Sequence, residues 1–213
     1  MTTFTTEDRV AVQQGTDEWH QLRLGKVTAS RVADILAKTK TGASASRQNY
    51  LIELALQRAT KVIEPSYTNS AMEWGTATEP QARVAYEVAS HNFVDQIAFV
   101  DHPTIEWFGC SPDGLVGNEG LIEIKCPNSA THWEYYKSKE PPKKYWIQMQ
   151  AQMAVTGRKW CDFVSYDPRM PENLRIFVQR VERNDVYIKM LEGEVRTFLE
   201  EIDRKVEILR NIK

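Results

Sequence analysis

Alternation of apolar and polar positions is sharpest at residues 121–125, Leu-Ile-Glu-Ile-Lys. A strand sends successive side chains to opposite faces, so Ile122 and Ile124 point into a core while Glu123 and Lys125 share the other side. Just upstream, Gly117, Asn118, Glu119 and Gly120 supply the turn chemistry that folds the preceding segment back onto this strand. A two-residue loop at Asn118 and Glu119 would set Asp113 opposite Ile124. A three-residue loop centred on Asn118 sets Asp113 opposite Glu123, on the face of Lys125, and this register is the one expected.

The remaining pattern is mostly helical. Thr16 and Asp17 open a helix that carries Trp19, Leu22 and Arg23 and stops at Gly25, and Thr28 caps a second with Val32, Ile35 and Leu36 inside. A third runs from Arg47 to Thr60 with Tyr50, Leu51, Leu54 and Ala55 inward, and a fourth from Ser70 to Ala89, where Pro80 forces a kink or a fresh start. On that fourth helix Ala82, Ala85, Tyr86 and Ala89 face the interior, and Glu79, Arg83 and Glu87 form a ladder spaced for ion pairs. Phe93 to Val100 and Ile105 to Cys110 read as strands leading into the hairpin. Helices follow over Thr131 to Lys139 and Lys143 to Gly157, separated by Pro141 and Pro142. Trp160 to Tyr166 and Leu174 to Glu182 are further strands. A long terminal helix from Asn184 repeats Leu191, Val195, Phe198, Ile202, Val206 and Leu209 at near-heptad spacing. Residues 1–14 form an extended arm, Lys38 to Ser46 a polar loop, and Val62 to Asn69 a connector. The order predicts one α/β domain over residues 1–213 with a central mixed β-sheet flanked by helices: N-terminal helices at 16–60, a core at 70–182 and a C-terminal helix at 184–212.

A chain of 213 residues is long enough to bury a core of its own. No apolar run approaches the roughly 20 residues that span a bilayer, and the first residues lack a signal-peptide core, so no membrane contact and a cytoplasmic location are expected. Cys110, Cys126 and Cys161 are widely spaced and read as reduced thiols, and the four histidines show no ligand spacing. The formal net charge of −2 hides an uneven distribution: residues 73–123 carry nine acidic side chains against one basic, while residues 1–61 carry nine basic against six acidic. An acidic centre with basic flanks suits a metal site between phosphate-binding walls, although ordinary scatter produces the same count.

Two carboxylates and an ammonium on one sheet face call for a physical reason, because unpaired carboxylates so close repel and resist desolvation. A divalent cation removes the conflict. Mg²⁺ prefers carboxylate and carbonyl oxygens, keeps several waters and activates one of them, and the lysine would hold that water or neutralise charge developing on a phosphorane. Asp113, nine residues, Glu123, any residue, Lys125, with Pro112 ahead, is the pattern of the PD-(D/E)XK nucleases. A bare Glu-x-Lys reads equally as a surface ion pair. The surrounding SPDG, the apolar residues bracketing Glu123 and Lys125, and the Cys-Pro end make the arrangement rarer. Glu79 adds a third carboxylate from a helix beside the sheet, or simply a solvated rung of its ladder. Arg23 and Lys26 precede the helix start at Ser30 and Arg31, which reads as a phosphate pocket or as ordinary helix-start chemistry. Trp146, Met149, Gln150, Met153 and Ala154 form a core stripe, with Gln148 and Gln152 on another side.

Taken together, WHQLRLGKVTASRV, EWGTATEPQAR, CSPDGL, LIEIKCP, IQMQAQMAVTG and SYDPRM, in this order over residues 13–170, resemble the lambda exonuclease or YqaJ-type viral recombinase family of the PD-(D/E)XK superfamily. The resemblance implies the restriction-endonuclease-like fold and a Mg²⁺-dependent 5′-to-3′ exonuclease that degrades one strand of duplex DNA from an end, releases mononucleotides and leaves a 3′ single strand for annealing-based recombination. It implies Asp113, Glu123 and the main-chain carbonyl of Ile124 as metal ligands for two Mg²⁺ ions per site, with Mn²⁺ able to substitute. Glu79 would be the helical carboxylate and Lys125 the catalytic lysine; Arg23, Ser30 and Ser111 would hold a 5′-phosphate, with Gln148 near the site. Implied partners are duplex ends with a 5′-phosphate, two further copies in a homotrimeric ring, and a single-strand annealing protein. The first dozen residues, Val62 to Asn69 and Lys137 to Lys144 depart from the family pattern. A restriction- or repair-type endonuclease and a catalytically silent DNA-end-binding module are the alternatives that the same core allows.

Overall fold

The computed structural model describes residues 12–40, 42–64 and 68–212; most of the expected N-terminal arm and part of the 62–69 connector lie outside the described residues. The N-terminal part contains α1 (Asp17–Arg23), β1 (Val27–Thr28), a 3₁₀ turn (Ala29–Arg31), α2 (Val32–Leu36), a small hairpin of β2 (Lys38–Thr39) and β3 (Gly42–Ala43), and α3 (Ala45–Thr60). Next come α4 (Ser70–Ser90), β4 (Val94–Asp95), β5 (Val100–Asp101), β6 (Phe108–Cys110), β7 (Gly114–Val116) and β8 (Gly120–Lys125). The chain closes with α5 (Ser129–Ser138), α6 (Lys143–Thr156), β9 (Trp160–Tyr166), β10 (Ile176–Glu182) and α7 (Asp185–Asn211).

β8 lies mid-sheet because both faces of its apolar pattern are covered. The main sheet has the order β10-β9-β8-β7-β4; β8 and β9 run parallel and the other pairs antiparallel. On one face Val116, Ile122, Ile124 and Val164 pack with Ala82 and Tyr86 of α4. On the other, Leu121, Cys161 and Phe163 pack with Met149, Met153 and Ala154 of α6. A second layer of core joins α2, α3, α6 and α7 through residues such as Ile35, Tyr50, Leu54, Val155 and Phe198, and it rests on Val27 and Phe108 of a smaller sheet ordered β1-β6-β5. The expected mixed α/β domain is therefore observed, and among the described residues no helix is long and apolar enough to cross a membrane.

Three local expectations change. The second helix does not start from a Thr28 side-chain cap: Thr28 ends β1, the 3₁₀ turn follows it without a side-chain cap, and α2 begins at Val32. The β-branched Val27-Thr28 pair is drawn into the sheet by β6, which outweighs the capping preference of threonine. α4 passes through Pro80 as one element instead of restarting, and Ala89 is exposed near its end. Phe93 to Val100 is split into two short strands that serve different sheets, and Ile105 to Cys110 contributes only its last three residues as strand.

Candidate active site

The hairpin register decides whether a site exists, and β7 pairs with β8 as Gly114↔Ile122, Leu115↔Leu121 and Val116↔Gly120. The loop is thus the three residues 117–119, opened by Gly117 in a left-handed conformation at φ +50°. This sets Asp113 level with Glu123, and its Oδ2 accepts a 2.6 Å hydrogen bond from the Ile124 N–H. Burial of Asp113, then the charges of Glu123 and Glu79, push its carboxyl well above the ordinary range, against the pull of Lys125 and the Ile124 N–H. Three carboxylates therefore share one field.

Glu123 is fully buried, and its two oxygens are both engaged. Gln148 Nε2 donates to Oε1 at 2.7 Å and Gln152 Nε2 to Oε2 at 2.6 Å, from successive turns of α6. The Lys125 ammonium also contacts Oε1 and lies 5.2 Å from the centroid of the Tyr145 ring. Burial alone would lower the Lys125 ammonium, but Glu123 and then Asp113 outweigh it, so the net direction is upward and the side chain is a cation. Glu79 enters from α4, where its Oε1 accepts from Arg83 Nη2 at 2.6 Å.

The donor set fits a hard divalent cation in kind: carboxylate oxygens around a spot where like charges already raise Asp113. Among the described residues no three His, Cys, Asp or Glu side chains are drawn up as a ready cage; both Glu123 oxygens and one Glu79 oxygen already accept protein hydrogen bonds. A cation would compete for oxygens that now accept protein hydrogen bonds.

Beside this centre the sheet ends bring basic and hydroxyl groups together. β1 and β6 run parallel with Thr28 beside Gly109, so Ser30 and Ser111 each follow that paired position by two residues. Arg23 Nη1 donates to Ser111 Oγ at 3.1 Å, and Ser30 Oγ lies 3.3 Å from Thr28 Oγ1. Trp19 backs the group: its Nε1 donates to Ser111 Oγ at 2.9 Å and to the Ala98 carbonyl at 3.0 Å, and the Arg23 guanidinium stacks on its ring at 4.0 Å. Arg23 has no carboxylate partner among the described residues, and burial lowers its guanidinium despite help from Tyr50 and Cys110. A desolvated guanidinium without a counter-charge favours an anion.

The family profile of the YqaJ-like viral recombinase domain matches residues 18–159. The chain belongs to this family. Among solved structures it is similar to the alkaline exonuclease LHK-Exo from Laribacter hongkongensis, at 52% identity and a TM-score of 0.85 over 92% of this chain and 96% of that one. The complex of LHK-Exo with dAMP matches over the same shares with a TM-score of 0.86. A phage-related exonuclease from Haemophilus somnus 129PT, 17% identical with a TM-score of 0.65 over 86% of this chain and 96% of that one, shares the fold. No curated protein matches the chain. With LHK-Exo the YqaJ-family chain has the PD-(D/E)XK fold, as its sequence pattern predicted.

Within this YqaJ-family site the structure brings together Asp113, Glu123, Lys125 and Gln148, and separately Arg23 and Ser111, while the exposed Ser30 meets Thr28. Gln148, expected near DNA, is occupied with Glu123. Gln152, placed with Gln148 away from the core stripe, and Trp19, carried on the first helix, turn out to hold Glu123 and Ser111 respectively. Gln14, at the end of the expected loose arm, is anchored by hydrogen bonds to Ile97 and Pro112 carbonyls at 2.8 and 2.9 Å, directly before Asp113. Cys110, Cys126 and Cys161 are free thiols; burial pushes all three up, Cys126 to about 12, so none is a poised nucleophile.

Proposed function

We propose that this chain is a Mg²⁺-dependent exonuclease that degrades the 5′-ended strand of double-stranded DNA from an end, releasing mononucleotides and leaving a 3′ single strand for annealing-based recombination. The observation that carries the reading is the meeting of Asp113, Glu123 and Lys125 around one point of the sheet. Similarity to an alkaline exonuclease at 52% identity supports it. Asp113, Glu123 and the Ile124 carbonyl would hold the cation, with Glu79 as a further donor and Mn²⁺ as a substitute. When bound, the cation supplies Lewis acidity toward a phosphate oxygen and an activated water.

The protein's own groups do the rest. Lys125, charged and partly exposed, offsets negative charge that grows on the phosphate as the bond to the leaving oxygen breaks. Gln148 and Gln152 keep the Glu123 carboxylate in one orientation, so little reorganisation is needed as the reaction proceeds. Arg23, Ser111 and Ser30 take the 5′-phosphate, which fixes which strand end lies at the carboxylates and hence the polarity. A homotrimeric ring and a single-strand annealing partner, which the family resemblance implies, and a cytoplasmic location belong to the same reading.

Linear duplex labelled separately at each 5′ and 3′ end tests the proposal. Mononucleotides should leave from the 5′-labelled end only, only with Mg²⁺ or Mn²⁺, and start more slowly when the 5′-phosphate is replaced by hydroxyl. Release from the 3′ end, equal rates on hydroxyl ends, or nicking of a closed circle would contradict it, the last in favour of an endonuclease.

A further inference from the structure

The ladder on α4 does more than solvate a helix face. Glu79 precedes Arg83 by one turn, the favourable order for an ion pair, and the pair closes at 2.6 Å. Unlike a surface rung, the Arg83 side chain is only 14% exposed. With the Gln96 amide oriented so that its oxygen faces the guanidinium, that oxygen accepts from Arg83 Nη1 at 2.6 Å and from Nη2 at 3.1 Å. Arg83 Nε is buried with no hydrogen-bond partner among the described residues. Gln96 directly follows β4, whose Val94 and Asp95 pair with Val116 and Leu115 of β7, the strand that starts next to Asp113. A second tie runs the same way, from Glu87 Oε1 to the Val94 N–H at 2.9 Å.

Glu79 is consequently tethered, through Arg83 and Gln96, to the residue after the edge strand β4, which pairs with β7. Its Oε1 is committed to Arg83, while its Oε2 accepts no hydrogen bond among the described residues. A long side chain on a helix would otherwise sample several rotamers, and ordering it when a ligand binds costs affinity.

We infer that Arg83, anchored by Gln96, is a positioning residue that holds Glu79 toward the divalent-cation centre and so sets cation affinity. The inference rests on the metal reading of Asp113 and Glu123 given above. It has a sign that separates it from simple electrostatics. A cationic guanidinium near the centre repels a second cation, so if charge alone mattered, removing Arg83 would tighten cation binding. If positioning dominates, removal weakens binding, in the way that loss of an outer partner of a ligand costs about 10–100-fold in other metal sites.

The test is calorimetric titration of Mn²⁺ into the full chain without DNA, on wild type, Arg83→Met, Arg83→Lys, Gln96→Ala and Asp113→Asn. The expected result is affinity lowered about tenfold in Arg83→Met, partly restored in Arg83→Lys and lowered by a few-fold in Gln96→Ala. Gln96 is exposed, so its variant should unfold at the wild-type temperature and gives the answer even if Arg83→Met does not fold. Cleavage rate against Mn²⁺ concentration should shift to higher concentration with the saturated rate retained, an outcome that mere destabilisation does not produce. Unchanged or tighter Mn²⁺ binding in Gln96→Ala and Arg83→Met overturns the inference while leaving the metal reading intact. Failure of wild type to bind Mn²⁺, or binding indifferent to Asp113→Asn, overturns the metal reading and this inference with it.

Discussion

A carboxylate as enclosed as Glu123 has lost its water and needs a protein donor on each oxygen, and Gln152 is the donor on Oε2. Gln152 is itself buried, so replacing it with leucine leaves the carboxylate short of a partner that water cannot replace. Gln152→Leu should therefore lower unfolding free energy by about 1–3 kcal/mol in urea denaturation. A change within about 0.5 kcal/mol, the size of an ordinary surface substitution, would show that Gln152 is idle. At this scale the charged trio was legible before any coordinates, because period-two alternation and one glycine-rich turn fix which side chains share a face. The donors to Glu123 were only half legible. Helical spacing puts Gln148 and Gln152 on one side of α6, but nothing in a one-dimensional pattern says that this side faces a buried carboxylate 25 residues upstream of Gln148. Trp19 is a similar case: an aromatic in a first helical turn reads as core, and its indole N–H reveals a second role only once Ser111 is beside it.

Long-range ties between elements decide how the helical layer supports the sheet. Arg47 at the start of α3 makes a two-pronged pair with Glu201 of α7, at 2.8 and 2.9 Å, and lies 5.0 Å over the Phe198 ring. The Arg47 hydrogen bond holds the Glu201 carboxyl below its usual range. A depressed carboxylate contributes stability that is complete above the unfolded-state value of 4.5 and is lost as pH falls through the lower folded value. Arg47→Met should thus be less stable than wild type by about 1–2 kcal/mol at neutral pH, and the gap should shrink at a pH well below 4.5. Urea midpoints at the two pH values check this; a gap that persists in acid would assign the loss to packing on Phe198. The α3 and α7 helices themselves were readable from their apolar faces, and their N-caps Ser44 and Asn184 accept from Arg47 and Tyr187 N–H groups as such residues should. Short strands were not readable. β4, β5 and β1 are two residues each, too short for a periodicity to appear, and they exist because neighbouring strands offer unpaired edges.

Across the whole molecule, acidic and basic residues are sorted by topology. The acidic stretch of the chain supplies Glu79, Asp113 and Glu123 from α4, the hairpin and β8, while the N-terminal segment supplies Arg23 at the neighbouring sheet end. Parallel pairing of β1 with β6 is what brings the proposed anion pocket of Arg23 beside Ser111, two residues from Asp113. Neither segment alone makes the proposed site. Lys125 is where the account is most exposed, since its side chain touches the carboxylate centre while its removal takes nothing from the Arg23 pocket. The decisive measurement is single-turnover cleavage of a 5′-phosphorylated duplex by Lys125→Ala, read alongside end binding by fluorescence anisotropy. Cleavage should fall by a factor of at least about 1,000 with end binding changed less than about threefold. Cleavage at the wild-type rate would contradict the claim that Asp113, Glu123 and Lys125 form one hydrolytic centre.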